Sequence, residues 1–248
     1  SGSWCHSHSK MNELMAKDPI IKARYDKHMQ FVQNYEQNVY KKQKSVGVTK
    51  VIPVVFHIIH DYGSENITET QVQNAVNNMN LDYRKMKADT ANIVSPFNLY
   101  HPDTEIEFRL AQIDPNGNCT SGITRKQSQL TYAADDDVKF ASQGGTDGWA
   151  NNKYLNIWVV RSIASGAGGY SYFPGISNNI DGIVILSGQL ASLTHEAGHW
   201  MALAHPWGPT NDPCVASNCS VDDNISDTPN NQGACGGCAT TTTTCNTD

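Results

Sequence analysis

The densest chemistry in the sequence lies in Leu193-Thr194-His195-Glu196-Ala197-Gly198-His199-Trp200-Met201-Ala202-Leu203-Ala204-His205. On a helix, positions four apart share a face, so His195 and His199 can present two imidazoles to one ion. Zinc accepts such nitrogens at about 2.0–2.1 Å and, at a catalytic site, keeps one coordination position open. Glu196 is turned roughly 100° from His195. That places it off the ion but within reach of the water the ion activates, where a carboxylate can take a proton as that water attacks a peptide carbonyl. A third ligand is needed. No glutamate follows Glu196, which excludes a downstream glutamate ligand within the chain, and His205 remains, six residues beyond His199. Two histidines on a helix can also be plain solvated or core residues. The third in register, and an apolar rear face of Leu190, Leu193, Ala197, Trp200 and Met201, point instead to a metal helix packed on a core.

Something must hold that helix in place. At 248 residues and 39% hydrophobic content, the chain can bury one sizeable core. Residues 1–45 are polar and rich in Lys and Gln, and read as helix: Asp18 before Pro19 is an N-cap with proline at the first helical position. Ile21, Tyr25, His28, Val32, Tyr35 and Val39 then recur at helical spacing. So thin a stripe is stable mainly when docked on another surface, as a pro-segment is. Residues 46–248 change character and form the expected catalytic domain. The β-branched run Val51 to Ile59 reads as a strand, Val72, Val76, Met79 and Tyr83 mark one face of a helix, and Glu105 to Ile113, Tyr154 to Val160 and Gly182 to Leu186 are further strands. This order predicts an α/β (α+β) domain with a mixed sheet and helices packed on it. After His205 the chain becomes loop-like and needs cross-links or ions to fix it.

The net charge of −6 and the scattered Lys and Arg residues, apart from Lys41, Lys42 and Lys44, exclude a nucleic-acid partner. The longest apolar stretch, Val51 to Ile59, is too short to span a bilayer, so no membrane insertion is expected. Seven cysteines, five of them between Cys214 and Cys245, fit an oxidising compartment and a secreted protein. Sequons at Asn66, Asn118, Asn218 and Asn224 are compatible with export. Ser1 to Lys10 carries no apolar signal region, so a processed form is expected. Cys214, Cys219, Cys235 and Cys238 could form a second zinc site, but in such a loop disulfides are favoured, with pairings left open. His57 and His60 read as residues serving packing or hydrogen bonding, while His6, His8, His28 and His101 show no ligand spacing.

The metal segment, continued by Pro206-Trp207-Gly208 and Ser226-Asp227-Thr228-Pro229, resembles the pappalysin family of metzincin metallopeptidases, in its ulilysin-like and mirolysin-like microbial members. The resemblance extends to Ile52-Pro53-Val54-Val55-Phe56-His57, Asn118 to Thr124 and Asp181 to Ile185, and Cys5, Met11, Leu14 and Asp18-Pro19 resemble a family pro-segment. It implies a twisted mixed sheet with an active-site helix and a backing helix, hydrolysis of peptide bonds in proteins, zinc on His195, His199 and His205, and Glu196 as general base. It also implies calcium at the segment of Asp227 and Thr228, although Asp222, Asp223 and Asp227 can equally be turn and capping residues. An extended peptide substrate would lie along a sheet edge, with Gly169-Tyr170-Ser171-Tyr172-Phe173 as part of that edge.

Two departures from the family pattern stand out. Ala202 occupies the position of the family's glycine, where a positive φ would cost about 1–2 kcal/mol, so either the turn differs or the strain is tolerated. All six methionines precede His205, so the methionine turn of the family has no counterpart and the catalytic domain is expected to be incomplete at its C-terminus. The pro-segment likeness motivates latency: a Cys5 thiolate could occupy the fourth zinc position at about 2.3 Å, the alternative being a disulfide-bonded Cys5. Lys41 to Lys44 would then be a candidate activation-cleavage region, although any exposed helix end looks the same. The expected function is a secreted zinc metalloendopeptidase inhibited by its own pro-segment. The alternative is a non-catalytic zinc-containing peptide-binding module, which has no need of Glu196.

Overall fold

Asp18 divides the N-terminal segment into two helices, α1 (Ser7–Lys17) and α2 (Pro19–Asn38). In this computed structural model, residues 5–38, 47–93, 95, 102–176, 179–225, 228–233 and 245 are described. Asp18 is extended, as a residue before proline must be, and its Oδ1 accepts the Ile20 N–H at 2.8 Å, capping α2 as the sequence predicts. The break it imposes, and hence α1 as a separate helix, went unread in the sequence. Met11 and Ile21 are buried in a cluster with Tyr170, Tyr172, Phe173 and Ile176, whereas Phe31 and Tyr35 are exposed. The stripe thus docks at its start only. Val39 and the Lys41, Lys42 and Lys44 cluster lie outside the described residues.

Among the described residues the sheet has six strands: β1 (Lys50–His60), β2 (Ile106–Leu110), β3 (Ile123–Gln127), β4 (Leu155–Val160), β5 (Gly169–Ser171) and β6 (Ile183–Leu186). Their order is β2-β1-β4-β6-β5, with β3 also paired to β1. β2 takes the Lys50 to Val54 half of β1 and β3 the Phe56 to His60 half. Every pairing is parallel except β5 with β6. β1 is central, and Val54 to His60 are buried on both faces, which its continuous β-branched run predicts. β3 escaped the sequence reading because Arg125, Lys126 and Gln127 are polar and exposed.

α3 (Glu69–Tyr83) starts in a capping box between Thr68 and Gln71 and lays Val72, Ala75, Val76, Met79 and Tyr83 on the sheet. Each fully buried Val or Met side chain contributes roughly 1.5–3 kcal/mol. α4 (Leu193–Trp200) packs on the same core through Leu193 and Ala197, with Leu190, Trp200 and Met201 partly buried beside it. Leu190 belongs to a short turn before the helix rather than to the helix itself. α3 grips the first turn of α4 directly. Tyr83 Oη donates to Thr194 O at 3.1 Å, and Thr194 Oγ1 donates to Asp82 Oδ2 at 2.7 Å.

Candidate metal centre

α4 ends at Trp200, and Ala202 then adopts φ +77°. The left-handed turn is therefore made, and the strain of an alanine in it is tolerated. Ala202 N–H donates to His199 O and Leu203 N–H to Gly198 O, both at 2.9 Å, so the chain doubles back and delivers His205. The three Nε2 atoms converge: His195 to His199 at 3.0 Å, and His205 to each of the others at 3.2 Å. His199 Nδ1 faces Leu203 O, and His205 Nδ1 faces Thr210 O, each at 2.7 Å. A carbonyl only accepts, so these two rings carry their proton on Nδ1 and turn a bare lone pair inward at Nε2. Burial, together with the neighbouring imidazoles, pushes His199 down to about 2, and burial pushes His205 down to about 4. Convergent lone pairs cannot satisfy one another, whereas a cation satisfies all of them. Nitrogens around a tetrahedral zinc with bonds of about 2.0–2.1 Å stand roughly 3.3 Å apart, and the set fits that ion.

Cys5 joins the same group. Among the described residues, Cys5, His195, His199 and His205 form the one set of three or more His, Cys, Asp or Glu whose ligand atoms all lie within 4.8 Å of one another. Cys5 is a buried thiol rather than half of a disulfide. It pairs with Gly169 in a parallel bridge, and the His6 N–H donates to Gly169 O at 3.2 Å. Burial and the nearby Glu196 carboxylate push its thiol well up, so a thiolate here requires a cation among the histidines. His195 is the exposed member of the set and borders a groove of about 830 Å³ lined also by Tyr83, Thr194, Gly198 and Leu203.

Glu196 is buried, and burial pushes it up to about 7 against hydrogen bonds that pull the other way. Ser7 Oγ donates to its Oε2 at 2.9 Å and accepts the Ser171 N–H at 2.8 Å, while Ser171 Oγ donates to Glu196 O at 2.8 Å. Gly169 sits close against its surroundings: a Cβ would lie 2.6 Å from Ile185 Cδ1, which would have to shift, and 3.2 Å from Glu196 Oε1. His8 packs against His205 and Phe173, at 4.9 and 4.8 Å between ring centroids. Asn211 Oδ1 accepts the His8 N–H at 3.2 Å, tying the loop after His205 to the N-terminal segment. Ser7 and Asn211 escaped the sequence reading, since neither their types nor their spacing distinguishes them from ordinary surface residues; Ser171 was read only as part of the strand edge and His8 only as a histidine without ligand spacing.

The remaining candidates sit apart. Asp222 and Asp223 accept the N–H groups of Asn224 and Ile225 at 2.8 and 3.0 Å, which is turn chemistry. Asp227 lies outside the described residues, and Thr228 N–H donates to Ile225 O at 3.1 Å. Cys219 is bonded to Cys245, and Cys214 is also in a disulfide. Cys235, Cys238 and the Thr240 to Thr244 run lie outside the described residues. Asn218 is buried and donates its amide to Asp212 O and Gln232 O, a structural use of that sequon residue. His57 is buried between Thr124 and Asn156, a packing role as expected. Gly169–Ser171 is indeed the outermost strand, and Tyr172 and Phe173 leave the sheet for the core.

A family profile described as Pregnancy-associated plasma protein-A (Peptidase_M43) matches residues 135–248. Mature mirolysin of Tannerella forsythia, solved in complex with a cleaved peptide, is 38% identical with a TM-score of 0.67, over 77% of this chain and 74% of its own. A promirolysin mutant from the same organism is 35% identical with a TM-score of 0.73, over 92% of this chain and 76% of its own. An extracellular metalloprotease of Trichophyton verrucosum is 24% identical over 217 residues, or 81% of this chain, and the chain spans 66% of that relative's length. Among the described residues, no helix is long and apolar enough to cross a membrane. With the convergent histidines in the same place as the matched profile, the chain belongs to the pappalysin family (Peptidase_M43) of metallopeptidases.

Proposed function

We propose that the chain is a zinc-dependent metalloendopeptidase held latent by its own N-terminal segment. The observation that carries this reading is the meeting of three imidazole nitrogens, two of them bare acceptors fixed by carbonyls, with the Cys5 thiol and the buried Glu196 carboxylate. His195, His199 and His205 would hold the ion. Zinc bound there supplies Lewis acidity that polarises the peptide carbonyl and makes water a nucleophile. The chain's own groups do the rest. Glu196, whose pKa burial raises to about 7, would act as the carboxylate that takes the proton of the attacking water and returns it to the leaving amine. Gly169 O and the Ser171 N–H lie along the outermost strand, where an extended peptide adds by main-chain hydrogen bonds.

In the latent chain these same positions are filled by residues 5–8. Cys5 stands with the histidines, Ser7 holds Glu196 and Ser171, and His6 takes Gly169 O. The wider coverage of promirolysin than of mature mirolysin, 92% against 77% of this chain, supports a pro-segment here. The cleaved peptide bound to mirolysin supports peptides as substrates, and the extracellular metalloproteases among the relatives, with the Cys219–Cys245 disulfide, support a secreted protein. Calcium near Asp227 and Thr228 rests on the family resemblance, and the melting temperature in added calcium tests it.

The deciding experiment measures zinc content and casein hydrolysis before and after proteolytic release of residues 1 to about 45, with Glu196→Ala as control. One zinc per chain, activity only after release, and loss of about 10²–10⁴-fold in the variant are expected. A chain without zinc would sink the reading.

A further inference from the structure

We infer that Trp207 is a positioning residue for His205, and that the turn His205-Pro206-Trp207-Gly208 holds this one imidazole in the plane and tautomer that metal binding requires; the inference rests on the zinc reading of the site. His195 and His199 project from α4, whose own hydrogen bonds fix their backbone. His205 comes from the loop beyond it and needs support from elsewhere.

That support is built. Gly208 N–H donates to His205 O at 2.8 Å, and the two residues form an antiparallel bridge, so the turn is tight. Gly208 has φ +96°, and a Cβ there would lie 2.5 Å from Val221 Cγ2, so only glycine closes it. The reversal lays the Trp207 indole flat on the His205 imidazole, with centroids 4.4 Å apart and planes 11° from parallel. One carbonyl serves both rings. Thr210 O accepts His205 Nδ1 at 2.7 Å and Trp207 Nε1 at 3.2 Å. Behind the indole, Gly233 comes so near that a Cβ would lie 2.8 Å from Trp207 Cδ2. Gly233 is itself tied back, its N–H donating to Asn231 Oδ1 at 2.9 Å while Asn231 Nδ2 donates to Pro206 O at 2.8 Å. The indole is thus clamped between the imidazole and a backbone that is hydrogen-bonded to the turn.

The clamp bears on metal affinity as well as on shape. A cation at Nε2 draws electron density from the imidazole, and a ring made more positive is held more strongly by an indole face. The stack therefore favours the metal-bound form over the metal-free one.

The test uses the full chain with Trp207→Leu and Trp207→Phe, measuring zinc affinity by competition with a chromophoric chelator and the melting temperature with and without zinc. Loss of the ring is expected to weaken zinc binding roughly 10–100-fold, as loss of a ligand's supporting partner does. It should also lower the melting temperature of the zinc-loaded chain more than that of the metal-free chain. Phenylalanine keeps a weaker face and loses the donor, which should weaken binding roughly threefold. If Trp207→Leu does not fold, Trp207→Phe decides by the same readings. Unchanged affinity with equal melting losses in both forms overturns the inference and leaves the indole a structural plug. An unaltered chain that binds no zinc overturns the reading of the site itself, and this inference with it.

Discussion

Ser7 Oγ lies 2.9 Å from Glu196 Oε2, and residues 189 apart in sequence are joined there by one buried hydrogen bond. The same hydroxyl accepts the Ser171 N–H. On the peptidase reading it occupies both groups that a peptide would need, the proposed base and the strand-edge donor. Ser7→Ala keeps the histidines and the Cys5 backbone bridge to Gly169, and it also removes the contact of the hydroxyl with Cys5 Sγ at 3.4 Å. A hydrogen bond to a charged group contributes about 1.5–3 kcal/mol, so the unprocessed variant should show roughly tenfold more hydrolysis of a fluorogenic peptide than the unprocessed parent at equal zinc content. Equal rates would mean that Ser7 only packs.

Ala202→Gly should stabilise the chain, against the usual sign for that substitution in a helical segment. The φ of +77° penalises alanine by about 1–2 kcal/mol, and glycine's extra unfolded-state entropy returns part of it. A net gain of about 0.5–1 kcal/mol is expected, or roughly 1–4 °C in melting temperature. No gain would place the strain elsewhere.

Lys139 is fully buried and donates to Ile180 O at 2.7 Å and to Asp136 Oδ1 at 2.9 Å, while Asp136 also accepts the hydroxyls of Tyr170 and Tyr172 at 3.0 and 2.5 Å. Lys139→Met strands the carboxylate beneath β5. A loss of about 3–5 kcal/mol in urea denaturation is expected, and a loss below 1 kcal/mol would show that solvent reaches Asp136.

Glu65 supplies a dependence on acidity. Burial alone would raise it, but the backbone N–H groups of Asp61, Glu65 and Gly63 and the Arg161 guanidinium hold it at about 2, against 4.5 unperturbed. Its folded-state value is depressed, so its contribution is complete above about pH 4.5 and is lost as pH falls from there through about 2. Glu65→Gln should cost on the order of 2–3 kcal/mol at neutral pH. Parent and variant should converge in acid denaturation near pH 2, and a constant gap down to that pH would refute the assignment.

The convergence of the histidines was legible because it is local: His195, His199 and His205 span eleven residues, and a helix followed by a reversal brings them together wherever the core lies. β1, α3, β4 and β6 were legible through unbroken or periodic burial. β3 was not, since its pairing depends on β1 rather than on its own polar residues. The contacts of Ser7, His8 and Asn211 were not legible either. They exist only because a segment at one end of the chain crosses a cleft built near the other, and no spacing records that encounter.

The pairing of residues 5–7 with β5 also covers the margin of the sheet at the end opposite β2. Gly169 O and the Ser171 N–H are both taken by the N-terminal segment, and an uncovered strand margin templates pairing with any extended chain. If the segment is released as proposed, the molecule would change in how it behaves in company as well as in what it can cleave. The trimmed protein carries a bare strand that a peptide or another trimmed molecule can join. On that reading its colloidal behaviour would become concentration-dependent on release, and a short peptide lying along β5 would act as a stabilising additive as well as an inhibitor.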